Sequence, residues 1–479
     1  MGNLNKSLAY SVADSYVSLA LQIASTVVIA RILTPSEIGI FAVAAVFTSL
    51  AGALRNFGIT EFLIQEKELS KDTIRVALGV NILISWTLGI IIFASAGFVA
   101  DFYKSHHVAA VMRVQALSFF LIPFGAIGMA YFRRELNLKP VFIASILANI
   151  ASFGASVGLA MTGHGPMSLA WSGFVGVLVT VIVSLAYRPK DFPRLPSLKG
   201  AMRAFHFGKH ASGIYLFGQL GAGAPEMVIG RAHSIESVAY FSRANGLIEL
   251  FNKLVLNAIW PVILPYFSKS EHQHNSLLPT YTKCVNYLTI VSWPLLATLL
   301  INSEAAIEII YGHQWSSSAP LSKILCLSAI VSVTYHLAME SFVAKGVVAT
   351  SNYLQMASQG LKILGLLAAI PFGLEGACWG LLSANIAGAF LTHRLLNKHI
   401  GFTFAHLLAA CTTSGALTLI VFATALLPHL AANTLELGRN ATSLISTALA
   451  ATVWLAYLVK TKHNILNMAI STLQRRRGK

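Results

Sequence analysis

Arg243, Glu249, Lys253, Asn257 and Trp260 lie inside one apolar run, 237–266. At roughly 100° per residue they share about one third of a helix circumference. A charge at the centre of a membrane span costs on the order of 2.5–3.5 kcal/mol, so such charges face a cavity or a partner. Fixed positive charge in such a cavity attracts an anion, and a guanidinium offers paired donors that match phosphate oxygens. The chemistry is therefore non-covalent capture of a phosphate-bearing substrate. Arg243 has no acid close to it in sequence, whereas Glu249 and Lys253 stand four residues apart and can simply neutralise one another.

Ser11, Asp14, Ser18, Gln22 and Ser25 form a comparable polar stripe on the first apolar run, within about 80°. Two stripes imply a wet central cleft. Arg55, Arg113, Lys209 and Lys323 fall near span ends, where they either line that cleft or snorkel to headgroups. The substrate-binding candidates are Arg243, Lys253, Asn257, Arg55, Arg113, Lys323 and Gln22. Glu226 sits in Gly218-Gln-Leu-Gly-Ala-Gly-Ala-Pro-Glu, whose glycines and Pro225 weaken a helix around an acid. Such a segment can bend and hold a cation, although Glu226 can also pair with Arg231. Glu226, Asp14 and Glu249 are the ion-coupling candidates. His336 and Glu340 are again four apart but lack a third zinc ligand, so a hydrogen bond between them is expected and no metal site.

The elements that position these residues are membrane helices. Of the 479 residues 56% are hydrophobic and 11% charged, and the mean hydropathy is +0.68, which excludes soluble classes. About 20 apolar residues cross the hydrocarbon layer. Such runs fall at 9–32, 37–56, 74–100, 108–131, 140–162, 166–187, 208–230, 237–266, 280–302, 319–344, 352–372, 376–396, 404–427 and 441–459. The expected fold is an all-α polytopic membrane protein of about fourteen spans. The first run carries Asp14 and Gln22 and no small-residue cleavage site, so it reads as a retained span rather than a leader. Cys284, Cys326, Cys378 and Cys411 occur singly in or beside spans and give neither disulfide nor metal spacing.

The formal net charge of +16 sorts by side rather than marking a nucleic-acid surface. Numbering the connections alternately, one set holds Lys6, Arg55, Lys67, Lys71, Arg75, Arg133, Arg134, Lys139, the 188–207 cluster, Lys269, Lys345, Arg394, Lys398 and the basic tail. The other set holds only Arg31, Lys104, Arg231 and Arg439. The positive-inside rule then places both termini in the cytoplasm and supports an even number of spans.

Ile29-Ala30-Arg31 closes the first span as Ile229-Gly230-Arg231 closes the seventh. Arg113 matches Lys323, and Gly165 with Trp171 matches Gly373 with Trp379. These pairs are roughly 200–210 residues apart, the mark of a duplicated, parallel repeat. The expected organisation is a six-helix lobe at 1–187, a basic linker at 188–207, a second six-helix lobe at 208–398, two additional helices at 399–460 and a basic tail at 461–479. That tail reads as a headgroup anchor.

Ile-Ala-Arg-Ile-Leu-Thr-Pro-Ser-Glu-Ile-Gly-Ile-Phe-Ala at 29–42, then Asn56-Phe57-Gly58 and Phe62-Leu-Ile-Gln-Glu-Lys, resembles the polysaccharide transporter family of bacterial flippases. That family belongs to the multidrug/oligosaccharidyl-lipid/polysaccharide exporter superfamily. Ala239-Tyr-Phe-Ser-Arg-Ala244, the Pro261 to Pro265 segment and Ile309-Ile-Tyr-Gly-His-Gln-Trp315 extend the likeness, which is nearest to the colanic-acid and exopolysaccharide exporters. The resemblance implies a two-lobed, V-shaped transporter of the bacterial inner membrane. Its cargo would be an undecaprenyl-pyrophosphate-linked oligosaccharide, flipped by alternating access. It implies cationic residues that hold the pyrophosphate head, with Arg243 and Lys253 suitably placed, and a polyprenyl tail left in lipid. It implies energy from an ion gradient, no ATP and no cofactor. The partners it implies are the lipid-linked substrate, membrane lipids and a polysaccharide polymerase with its chain-length machinery. Unlike the lipid II flippases, the first span is not arginine-rich and has Ser25 and Thr26 there, which disfavours lipid II as cargo.

Two other readings compete. A membrane polymerase or ligase needs outside loops with catalytic groups, yet the longest, 303–318 and 428–440, assemble neither a nucleophile with a base nor a metal-binding acid pair. A drug or metabolite exporter of the same superfamily would need an apolar or acidic cleft, against which the cationic stripe argues.

Overall fold

A computed structural model describes residues 2–55, 63, 66, 69–193, 195–274, 276–432 and 438–461. For 2–6, 8, 9, 12, 203–215, 257, 258, 261 and 274 it describes the backbone alone. The Asn56-Phe57-Gly58 motif, the Lys209 and Asn257 side chains and the basic tail therefore lie outside the described residues. The described chain is all helix and turn, as a bilayer demands, because each backbone amide and carbonyl must be satisfied within its own segment. Two compact units emerge, Met1–Tyr240 and Phe241–Lys479.

The first unit holds α1 (Gly2–Ile32), α2 (Pro35–Arg55), α3 (Lys71–Phe102), α4 (His106–Arg134), α5 (Leu138–Met161), α6 (Pro166–Tyr187) and α7 (Ala201–Ala232). α1 packs on α5, α3 and α6 pack on α4, and α2 lies on α4 and α7. The Leu-Thr-Pro-Ser-Glu motif is a helix start. Thr34 N and Oγ1 donate to Glu37 Oε2 at 2.8 and 2.9 Å, and Pro35 fills the first helical position, where its missing N–H costs nothing. Ser234 caps the helix that starts at Ile235, accepting from Ser237 N at 3.1 Å. The glycine of the motif has a steric reason as well: a Cβ on Gly39 would lie 2.0 Å from Ile235 O.

The chain continues through α8 (Ile235–Phe251), a π-helical segment (Asn252–Leu256), α9 (Asn257–His274), α10 (Leu278–Ile301) and the short α11 (Ser303–Tyr311). There follow α12 (Ser318–Val333), α13 (Ala338–Ala344), α14 (Val348–Ala369), α15 (Gly373–Ile400), α16 (Phe404–Ala431) and α17 (Arg439–Lys460). In the second unit α10 packs on α12 and α16, α15 on α12 and α14, and α9 on α13. α14 and α15 meet backbone to backbone, since a Cβ on Gly380 would stand 2.2 Å from Gly365 O. Small residues replace the hydrophobic driving force that lipid removes.

Among the described residues eleven stretches are long and apolar enough to cross a membrane, one of them, Val348–Ile400, being the pair α14 and α15. Large apolar side chains point outward, among them Phe98 at 76% and Leu419 at 71% exposure. Water would penalise that surface and hydrocarbon does not. The chain is an all-α, multi-pass membrane protein. α7 and the α8–α9 pass are not among the eleven, and these are the helices that carry Glu226, Arg243, Glu249 and Lys253.

Candidate functional site

The polar stripe on the eighth pass does not run straight. Asn252–Leu256 is wound as a π-helix, which adds one residue to a turn and rotates the residues beyond it by about 100°. Before the bulge, Glu249 is exposed and accepts from Asn245 Nδ2 at 3.1 Å. Within it, Lys253 and Leu254 are exposed. Beyond it, the Trp260 ring lies 5.5 Å from the His336 ring. The single face expected for Arg243, Glu249, Lys253 and Trp260 is thus broken at the bulge.

Arg243 has an occupation that its sequence neighbourhood did not disclose. Its guanidinium lies over the Tyr311 and Trp315 rings, 5.4 Å from each centroid, and both rings are buried. Its Nε is buried without a hydrogen-bond partner among the described residues. The guanidinium thus faces two aromatic rings whose quadrupoles attract it, and Glu249 acts on it electrostatically as well.

Two more expected cleft cations have partners. Lys323 Nζ donates to Glu304 Oε1 at 2.7 Å, and this contact holds the Glu304 carboxyl below the usual carboxylate range. Arg113 is exposed and lies 5.7 Å from the Phe93 ring centroid. Arg55 ends α2. On α1, Ser18 donates to Asp14 Oδ1 at 3.1 Å and meets Ser145 Oγ at 3.0 Å, while Asn149 Nδ2 donates to Ser18 at 3.0 Å. This part of the first stripe faces α5 of its own unit, because α1 packs there. Gln22 is exposed. Glu226 is partly buried on α7, whose helical span includes Pro225. His336 and Glu340 make no hydrogen bond to one another among the described residues, because His336 lies in the break after Val333 and Glu340 on the helix that restarts at Ala338.

The residues that remain together are Glu249, Lys253 and an apolar cavity alongside. Leu247, Leu250, Phe251 and Leu254 of the same pass wall a cavity of about 460 Å³ whose far side is Pro294, Ala451 and Trp454. One helical segment thereby presents charge on one side and an apolar recess on the other, a geometry suited to an amphiphile. The recess was missed because α10 and α17, which close it, are distant in sequence. The 303–318 connection is tied to the one before α17. There Glu308 pairs with Arg439 at 3.5 Å and with His313 at 3.2 Å, joining α11 to the start of α17. Among the described residues no cluster offers three metal ligands.

With this geometry in hand, the chain matches the model of the family described as polysaccharide biosynthesis protein over residues 28–320. It is 24% identical over 331 residues to the succinoglycan biosynthesis transport protein ExoT of Rhizobium meliloti, which spans 68% of this chain and 66% of that protein, just under two thirds of its length. It is 22% identical over 417 residues to the teichuronic acid biosynthesis protein TuaB of Bacillus subtilis, 85% of this chain and 86% of that one. It is also 22% identical over 331 residues to the lipopolysaccharide biosynthesis protein WzxC of Escherichia coli, 67% of this chain and 66% of that one. Its fold is similar to the lipid II flippase MurJ in an inward closed conformation, with a TM-score of 0.78 at 14% identity over 96% of this chain and 100% of that one. An inward-facing multidrug resistance MATE family transporter of the MOP superfamily follows at 0.60 and 14% over 81% of this chain and 98% of that one.

Proposed function

Because the chain belongs to the polysaccharide biosynthesis protein family, we propose that it is a flippase. It carries undecaprenyl-pyrophosphate-linked oligosaccharide units across the bacterial inner membrane for export or surface polysaccharide synthesis. Its cycle is alternating access driven by an ion gradient, with no covalent chemistry. In this reading the chain makes fourteen passes with both termini in the cytoplasm. Lobes 1–187 and 208–398 are copies of one repeat, joined by the 188–207 linker, and the passes at 399–460 are an addition. A polysaccharide polymerase receives the flipped unit.

One observation carries the cargo assignment. Glu249 and Lys253 lie on the same helical segment as the apolar recess formed with α10 and α17. A lipid-linked sugar phosphate has that division within itself: an anionic, hydroxyl-rich head that Lys253 attracts and Glu249 accepts hydrogen bonds from, and a prenyl chain that excludes water. A substrate without a tail has no use for the recess, and a bare lipid has none for Lys253.

The test uses two variants at matched membrane levels. Lys253→Ala removes the head contact, and Ala451→Trp fills the recess. Each is expected to lower surface polymer at least several-fold and to leave lipid-linked repeat units accumulating on the cytoplasmic side. Normal polymer from both variants would sink the assignment.

A further inference from the structure

The pass that begins at Ser318 is interrupted. α12 stops at Val333 and α13 starts at Ala338. Between them the amides of Thr334, Tyr335 and His336 reach back only three residues, to Val331, Ser332 and Val333, at 3.3, 3.3 and 3.4 Å. Backbone unwound at membrane depth persists only where protein packs on it or it lines a cavity, and here neighbouring helices contact it, leaving Thr334, Tyr335 and His336 partly buried and Leu337 buried. Trp293 Nε1 donates to Ile330 O at 3.0 Å, Ser332 Oγ to Ala329 O at 3.0 Å, and Tyr335 Oη to Asn385 O at 2.9 Å.

Glu340 follows the break and is only 9% exposed. Its Oε2 is buried with no hydrogen-bond partner, and no ion pair reaches it, among the described residues. From α14, Lys362 acts electrostatically on His336, and Gln359, one turn away, has a buried Oε1 that is likewise unpartnered. From α10 comes Tyr281, wholly buried, its hydroxyl unpartnered and within electrostatic reach of Glu340. From α15, the His399 ring lies 5.7 Å from that of Phe342, and from α9 the Trp260 ring covers His336.

A carboxylate enclosed in this way is costly in its ionised form until a proton or a cation arrives. A metal cation would need several oxygen ligands. The carbonyls of Ala329, Ile330 and Asn385 beside the break already accept hydrogen bonds. We propose that Glu340 is a proton-binding carboxylate inside the membrane, set beside the break at 334–337, through which the transport cycle draws on a proton gradient. The coupling half rests on the flippase reading. The proton-binding half does not.

Dicyclohexylcarbodiimide, which modifies protonated carboxyl groups in apolar surroundings, separates the two halves. With the full-length protein purified in detergent, mass spectrometry should find the adduct on Glu340 at mildly acidic pH. The adduct should fall about tenfold per pH unit above the midpoint. A yield on Glu340 that is nil or independent of pH overturns proton binding, and suppression by sodium at constant pH replaces the proton by sodium. In proteoliposomes, Glu340→Gln should abolish the dependence of lipid-linked oligosaccharide transport on a pH gradient, and Glu340→Asp should restore it. A Glu340→Gln protein that still follows the gradient overturns coupling, whatever the labelling shows. If the wild-type protein moves no lipid-linked oligosaccharide, the flippase reading fails while the labelling result stands.

Discussion

Arg243 illustrates how a cation in an apolar pass finds aromatic partners far along the chain. Tyr311 and Trp315, held at the end of α11 and in the turn after it, close over the guanidinium. Each such contact is worth on the order of 1–2 kcal/mol when desolvated. Arg243→Ala should therefore lower the melting temperature of the purified protein by several degrees, and Trp315→Leu by a comparable amount. The double variant should fall short of the sum, because the two residues share one contact. Reduced surface polymer is expected as well. An unchanged melting temperature with export abolished would return Arg243 to direct contact with the cargo. The spacing on α8 disclosed that Arg243 sits in a membrane pass with no acid within one turn of it. Its aromatic partners, about 70 residues onward, could not be read from that spacing.

Helix caps are the most legible elements, because they are local chemistry: Thr34, Pro35 and Glu37 declare the start of α2 wherever the helix later packs. The π-segment at Asn252–Leu256 is the opposite case. Its residues, Asn-Lys-Leu-Val-Leu, include no glycine or proline to mark it, and a constant rotation per residue misplaces Trp260. Deleting Val255 should convert the bulge to a regular α-turn. Because the bulge adds one residue to a turn, the residues beyond it then keep their places; circular dichroism should show unchanged helix content, while loss of the bulge itself should cost export at least tenfold. Full export from that deletion would mean that the bulge has no role in transport. The break at 334–337 was equally hidden, since an apolar run of the right length reads as one continuous span.

At the scale of the whole molecule, the sorting of lysine and arginine between alternate connections is a claim about sidedness. It can be checked by labelling intact cells with a membrane-impermeant maleimide. Cys284, Cys326 and Cys378 are buried, and only Cys411 is partly accessible, so a Cys411→Ser background suffices. His313→Cys should react from outside, and Lys345→Cys only after the membrane is opened. The reverse pattern would invert the orientation. Sequence alone determined that this chain lives in a bilayer, roughly where it crosses, which connections carry positive charge and which family it resembles. Transfer free energy, capping and insertion bias are summed over neighbouring residues, so they are written in order along the chain. Only the tertiary structure decided that Arg243 faces aromatic rings, that Lys323 is held by Glu304, that Asp14 and Ser18 face α5, and that Glu340 is enclosed beside a broken helix. Those outcomes depend on helix rotation, which a single bulge resets, and on which distant segment packs alongside.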